Sequence, residues 1–579
     1  MAKRKKRRKQ KLSPQERQLR YRQRQFRQRI QNVFRISGFD PIATRNKPII
    51  IGDRRSEFDS VFVYENLVVL GEDTCSQSTY EHLLKKNQFY DHLAQHKDEL
   101  IQFLTDTFPQ FRTARKAEYD ISDYDIVILY CSDHPVDESY KQRFPNIHFL
   151  HGRHIRYFKT LAAALGKSAR FELFKFFGLK ARDIGHSSGV TSKTYEGFIL
   201  PESPSGFPKG YKLATFYADP ETLISLSYVL RKDGWRDRAG LYQRMISRVK
   251  IRSMRRYLAH GERVFINNVI ASLPAATKIL DSHGRTVDHK SIRKTTAVRV
   301  EIPVEFNSIG IIDGQHRVFA YHEGYDTLDS KIAPLRKKQQ LLITGVVYPE
   351  RMDEEKQREF EARLFLEIND KQTRTRAELR QAIETIVNPF SVVAVARAVV
   401  DRLATTGPLR GYLEEDAFDV GKLKTSSIVS YGMKHVVKVD GEDTFFALWN
   451  HSHKHRLAEA VTAATKEEKV PEPAPRELLN EYVRFCAMET NNLIIAYRKT
   501  IPPELWTLDR RVSRALTATA INGLIFCLRR LLAAKKTKDA AGYERGLKKL
   551  TIQFTPGRFK YRSSHWNELG DAIAEQCFL

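Results

Sequence analysis

Residues Gly310 to Ala320 read GIIDGQHRVFA, an apolar strand-like run that passes through five polar or special residues into a segment able to continue as a helix. Packing alone does not call for an acid, a glycine, an amide, an imidazole and a guanidinium in succession. A strand-to-helix turn accommodates them: its free backbone N–H groups favour an anion, Gly314 lets the backbone approach closely, and Arg317 can fork onto phosphate oxygens. Asp313 suits a metal ion or a positioned water, and Gln315 or His316 suits orientation of a nucleophile. The plainer alternative is a solvated turn in which Arg317 pairs with Asp313.

Asp313 to Arg317 spells the signature of the DGQHR-domain family, which resembles ParB and sulfiredoxin at a distance. A second stretch, Phe365-Leu366-Glu367-Ile368-Asn369-Asp370-Lys371-Gln372, is similar to the F-x-x-I-N-x-x-Q element that follows the signature in DndB-like members. The resemblance spans about residues 212 to 579. It implies a ParB-like domain at 212–390 that binds or hydrolyses ATP or another NTP, with Mg²⁺. It also implies nucleotide contacts from Gly314, Arg317, Asn369 and Gln372. DndB-like and DpdB-like relatives belong to bacterial DNA-modification and phage-defence systems, of the phosphorothioation and 7-deazaguanine-insertion types. Expected partners are therefore DNA and a transglycosylase-like or sulfur-transfer enzyme.

A chain of 579 residues with 41% hydrophobic residues has material for two or three domains. Its five cysteines form no C-x-x-C pair, which argues against a zinc ribbon or a disulfide framework and fits a reducing cytoplasm. No apolar run approaches the roughly 18 residues that span a bilayer, so the chain is expected to cross no membrane. The formal net charge is +28, and residues 1–35 carry 15 Lys and Arg against one Glu. Lys3 to Lys11 read as a self-repelling tail. From Ser13-Pro14-Gln15-Glu16, a capping-box pattern, Leu19, Phe26, Ile30 and Val33 recur at helical spacing. This basic amphipathic helix offers Arg22, Arg24, Arg27 and Arg29 to nucleic-acid phosphate, with an acidic protein or an anionic membrane as the other possible partners.

Residues 36–185 read as an α/β domain. Ser60 to Leu70 predicts a hairpin turning at Glu65-Asn66, followed by a helical stretch from about Ser78 to Thr105. Strands at Asp125–Tyr130 and Ile147–Leu150 come next, then a helix near Arg156–Leu165. Asp59 at the entry to the hairpin and Glu72 at its exit resemble the metal-binding carboxylates of the PD-(D/E)xK restriction-endonuclease family. Thr74 stands where that family has its lysine. Lys85 or Lys86 on the following helix would have to replace it, or the domain is retained for binding alone. Acids at hairpin ends are also ordinary solvated residues.

The Pro- and Gly-rich run Leu200 to Tyr211 reads as a domain boundary. Beyond it, a strand is expected at Leu213–Tyr217 and helices at Pro220–Arg231 and Leu241–Leu258. The second helix is basic, with Arg244, Arg248, Lys250, Arg252, Arg255 and Arg256. Asn267-Asn268 head a strand expected to lie near the signature loop. The strand Leu341–Tyr348 and the helix Asp353–Ile368 place Asn369 just past a helix end. Residues 391–579 read as mainly helical, with an apolar helix at Arg510–Leu532; His451, His453 and His455 alternate as surface residues or as chelators on a strand. The expected whole is a multidomain α/β and α+β chain.

Three functions follow as expectations. The first is an NTPase using Asp313, Gln315, His316 and Arg317. The second is a non-catalytic DNA-binding regulator or adaptor in which the signature organises the fold. The third is a nuclease holding metal on Asp59 and Glu72.

Overall fold

The computed structural model describes residues 13–579 apart from 45–46, 77–78, 186–190, 232–242, 244, 289–290, 350–351, 371–376, 416–418, 420, 467, 469 and 472. The chain forms two compact units, Met1–Arg236 with Met245–Met352, and Asp353–Leu579 with Asp237–Arg244. The architecture is mixed α/β in the first unit and helical in the second.

Helix α1 (Pro14–Ile36) begins as its sequence dictates. Ser13 accepts from the Glu16 amide, Glu16 returns the bond to the Ser13 amide, and Pro14 sits in the first turn. Phe26, Ile30, Val33 and Phe34 bury one stripe, and the Phe34 ring stacks on Phe62 at 4.2 Å. Leu19 does not join them and is 47% exposed. The short strands β1 (Asp40–Ile42), β2 (Ile49–Ile51) and β3 (Arg54–Ser56) follow, and then the expected hairpin, β4 (Ser60–Tyr64) and β5 (Leu67–Thr74). Glu65 turns it at φ +51°, while the Asn66 amide ties the turn to Asp123, Asp183 and Gly185.

The expected helix from Ser78 to Thr105 is two helices, α2 (Tyr80–Gln95) and α3 (Lys97–Thr107), broken at His96; Ser78 itself lies outside the described residues. Next come α4 (Pro109–Ala114), β6 (Asp125–Ser132), α5 (Glu138–Arg143), β7 (Ile147–His151), α6 (Gly152–Leu165) and α7 (Arg170–Phe176). The sheet order is β1-β4-β5-β6-β7, antiparallel as far as β5 and parallel beyond it. Val61, Val63, Val68 and Leu70 pack with Leu83, Leu93, Leu100 and Leu104 on one face. Helix α1 lies against β5 and α6, so it is an integral part of this layer and not an appended tail.

A second sheet begins at β8 (Ser192–Leu200), which pairs antiparallel with β9 (Lys212–Ala218). The Pro- and Gly-rich segment between them holds the short α8 (Glu202–Ser205) and joins neighbouring strands of one sheet. Composition there marks a loop: Glu202 accepts from Gly210 N–H and the buried Lys212 ammonium, which fixes the turn. Helix α9 (Pro220–Leu226) stops five residues short of the expected Arg231 because Ser227–Tyr228 pairs as a strand, β10. The basic helix α10 (Arg248–Gly261) starts at a Ser247 cap, later than expected. Its Arg248, Lys250, Arg252 and Arg256 are exposed, but Arg255 is buried on Asp326, Asp329 and the Ala320 and His322 carbonyls; Arg244 lies outside the described residues.

The remaining elements of this unit are β11 (Val269–Ser272), β12 (Lys278–Leu280), β13 (Thr296–Pro303), β14 (Ile309–Asp313), α11 (Gln315–Phe319), α12 (Asp329–Lys338) and β15 (Leu341–Val347). The sheet order is β10-β14-β11-β15-β9-β8-β13-β12. Burial alternates along β8, β9 and β13, as in a sheet with one covered face and one open face.

The second unit opens with α13 (Glu354–Asp370), α14 (Ala377–Val387) and α15 (Val392–Thr405). Its core also takes in helices Lys454–Thr465, Arg476–Thr500, Ala518–Ala533 and Trp566–Cys577. The apolar helix expected from Arg510 begins at Ala518, where Thr517 caps it. His455 lies in the first turn of Lys454–Thr465 and His451 pairs with Glu481 at 3.2 Å, so the three histidines do not share a strand. All five cysteines are buried and unbridged. Among the described residues no single helix is long and apolar enough to cross a membrane.

Candidate functional site

Consecutive residues of a strand point to opposite faces, and β5 uses this at its C-terminal end. Glu72 faces the side of α2 and Asp73 the side of α1. Asp59, just before β4, stands across from Glu72 because Ser60 pairs with Gly71. The Asp59 carboxylate accepts the Asp73 N–H at 3.0 Å. Helix α2 carries Lys86 to Glu72, where its ammonium bonds the carboxylate and also donates to Ser56 Oγ at 3.1 Å and the Glu57 carbonyl at 2.7 Å. Lys85, one position earlier, is exposed. A lysine thus reaches Glu72 from the helix, whereas the strand itself has Thr74 two residues on.

Arg27 closes the other side. Its guanidinium donates to Asp73 Oδ2 at 2.6 Å and to Asp59. Arg22 bonds Asp133 at 2.8 Å. Two of the four arginines expected to bind nucleic acid are thus held by acids of their own unit, whereas Arg24 and Arg29 are exposed. The pattern of basic residues showed the helix but not these partners, since Asp73 and Asp133 are distant in sequence.

Burial raises the Glu72 carboxyl to about 7, with Lys86 pulling it back and Asp59 pushing it up. Burial likewise raises Asp73 to about 6, opposed by Arg27. Tyr90, 1% exposed on the same face, is pushed up by burial and by Glu72, and its hydroxyl has no hydrogen-bond partner. Among the described residues no three His, Cys, Asp or Glu side chains group to hold a metal by themselves. Two adjacent carboxylates completed by water and substrate oxygens match the way Mg²⁺ is commonly held, so Asp59 and Glu72 fit that ion better than a zinc.

The signature loop takes the expected strand-to-helix form. Strand β14 ends at Asp313, Gly314 adopts φ +96°, and α11 is only five residues long. Gly310 is needed for packing, because a Cβ there would lie 2.6 Å from the Tyr228 hydroxyl. The side chains of the loop turn inward to three separate segments. Arg317 Nη2 donates to Asp313 Oδ2 at 2.8 Å and to the Asn268 carbonyl at 2.8 Å. His316 Nε2 accepts the Ser247 N–H at 3.1 Å, and burial lowers this imidazole to about 4. Gln315 Oε1 accepts from Arg231 Nε at 3.2 Å. Arg231 is itself 1% exposed, with its guanidinium 5.3 Å over the Phe319 ring.

Asn268 lies beside the loop as expected, its amide donating to Thr344 Oγ1 at 3.0 Å. Asn369 belongs to the last turn of α13, inside the helix instead of past its end, and its amide donates to the Phe365 carbonyl at 2.9 Å. Gln372 lies outside the described residues. No family model, curated protein or solved structure matches this chain.

Proposed function

We propose that the first unit is a metal-dependent phosphodiesterase acting on DNA, with its site at Asp59, Glu72 and Lys86. The observation that carries this reading is the delivery of Lys86 to the Glu72 carboxylate, across the strand ends from Asp59. It supports the restriction-endonuclease-like resemblance, whose missing lysine was the main departure. Asp59 and Glu72 would hold a divalent cation, which supplies Lewis-acid polarisation of a phosphodiester. Lys86, anchored by Ser56 and Glu57, holds a proton beside Glu72 where an attacking water can be oriented. DNA is the favoured substrate because the chain carries a net charge of +28 and the exposed Arg24 and Arg29 lie on the helix that caps the acids. A place in a DNA-modification or phage-defence system rests on the DGQHR resemblance, as do its gene-cluster partners.

The test is cleavage of supercoiled and modified DNA with Mg²⁺ or Mn²⁺. Cleavage is expected to fall at least about 100-fold in Asp59→Ala, Glu72→Gln and Lys86→Ala and to persist in Lys85→Ala. Equal cleavage by wild type and Lys86→Ala, at matched melting temperatures, would sink the assignment.

NTP hydrolysis at Asp313–Arg317 is the competing proposal. It needs a ligand that draws Arg317 away from Asp313, and phosphate release that vanishes in Arg317→Ala would support it. The inward hydrogen bonds of Gln315, His316 and Arg317 favour the organising role instead.

A further inference from the structure

The open face of the second sheet carries two aromatic side chains where water would be expected to favour polar ones. Phe198 on β8 and Tyr217 on β9 are each 58% exposed. Phe198 stands opposite Thr215, so Tyr217, two residues further along β9, is its diagonal neighbour. Such diagonal positions lie roughly 7 Å apart, within reach of one extended ligand. The two rings border a groove of about 410 Å³, together with Leu342, Ala297, Arg299 and Ser282.

The register continues this row across the sheet. Ala297 pairs with Phe198, Thr215 with Thr344, and Thr344 with Ile270. The row therefore runs from the aromatic platform through two threonines to β11, whose register with β14 shifts between Ile270 and Ala271. The groove's own charges balance, with Arg299 lying 3.8 Å from the exposed Glu196 carboxylate. The rim is basic where Ser282 brings the connection between β12 and β13 to the groove: Arg293 and Lys294 are exposed, and Arg285, also exposed, pairs with Asp281 at 2.8 Å.

We infer that this face binds single-stranded nucleic acid, with bases stacked on Phe198 and Tyr217 and the backbone running along the basic rim. Exposed rings on a sheet bind any base through its π-face, and a basic border neutralises phosphates. A protein partner suits the site less well, because interface cores are depleted in charge while this groove has both Arg299 and Glu196 at its wall. The inference does not depend on the acid cluster, which lies on a different sheet.

The experiment is fluorescence anisotropy of the full chain in EDTA, using a fluorescein-labelled 12-nucleotide single strand and the matching duplex. Phe198→Ala and Tyr217→Ala are each expected to weaken single-strand binding by about 5- to 100-fold and duplex binding by less than about twofold. Phe198→Trp is expected to retain affinity, with its tryptophan emission quenched on addition of the strand. Single-strand affinity unchanged in both alanine variants would overturn the inference. So would a wild-type dimer that dissociates in those variants, since the face would then be a self-association surface.

Discussion

Arg27 shows how one side chain can balance a site. Asp73 is 4% exposed at its side chain and Arg27 is 38% exposed, so the pair lies half in solvent. Arg27→Gln leaves a buried carboxylate uncompensated, and solvent screening limits the expected loss of stability to about 1–2 kcal/mol in a denaturant melt. If Asp59 and Glu72 take a divalent cation, Mn²⁺ is expected to raise the melting temperature of this variant more than that of wild type, because the ion replaces the missing charge. His316 makes a separate prediction. Its neutral form accepts the Ser247 N–H, and its folded value of about 4 lies below the ordinary 6.5. A histidine depressed by folding stabilises the native state above its unfolded value and loses that contribution as pH falls toward the folded one. Stability measured from pH 6.5 down to 4 is therefore expected to fall less steeply in His316→Gln, whose amide oxygen can still accept. An identical slope in both proteins would contradict the role given to this imidazole.

At the scale of elements, register and helix rotation decide what a motif does. Lys86 reaches Glu72 and Lys85 does not because adjacent positions on a helix differ by about 100°. The hairpin was legible from the apolar runs Val61–Val63 and Leu67–Leu70 around the Glu65-Asn66 turn, and Asp59 and Glu72 from their places at its ends. Their cationic partners were not, since Arg27 and Lys86 approach from helices on opposite faces. The helical unit has its own critical crossing. Helices Ala518–Ala533 and Trp566–Cys577 meet at two glycines, and a Cβ on Gly570 would lie 2.6 Å from the Gly523 carbonyl oxygen. Backbone cannot yield there without moving a helix. Gly570→Ala is expected to cost about 1–3 kcal/mol of stability, read by thermal melting, even though alanine is the better helix former.

At the scale of the molecule, charge is the property most exposed to experiment. Residues 1–12 carry eight Lys and Arg. Their deletion is expected to flatten the dependence of log duplex affinity on log salt by several units, approaching about 7 if every charge contacts phosphate. A slope that does not change would place duplex binding elsewhere on the chain. The sequence by itself determined the elements whose signals are local: the capping box of α1, the Glu65-Asn66 hairpin, the strand-to-helix turn at Gly314 and the helical character of residues 391–579. Propensity, periodicity and turn chemistry act over a few residues, so a linear reading recovers them. Only the tertiary structure decided that Leu200–Tyr211 is a connection within one sheet, that Arg317 also reaches the Asn268 carbonyl, and that Lys86 reaches Glu72 from α2. Those outcomes depend on which distant segments share a sheet edge or a buried face, where desolvation forces charges and hydrogen-bonding groups to find partners that sequence spacing does not reveal.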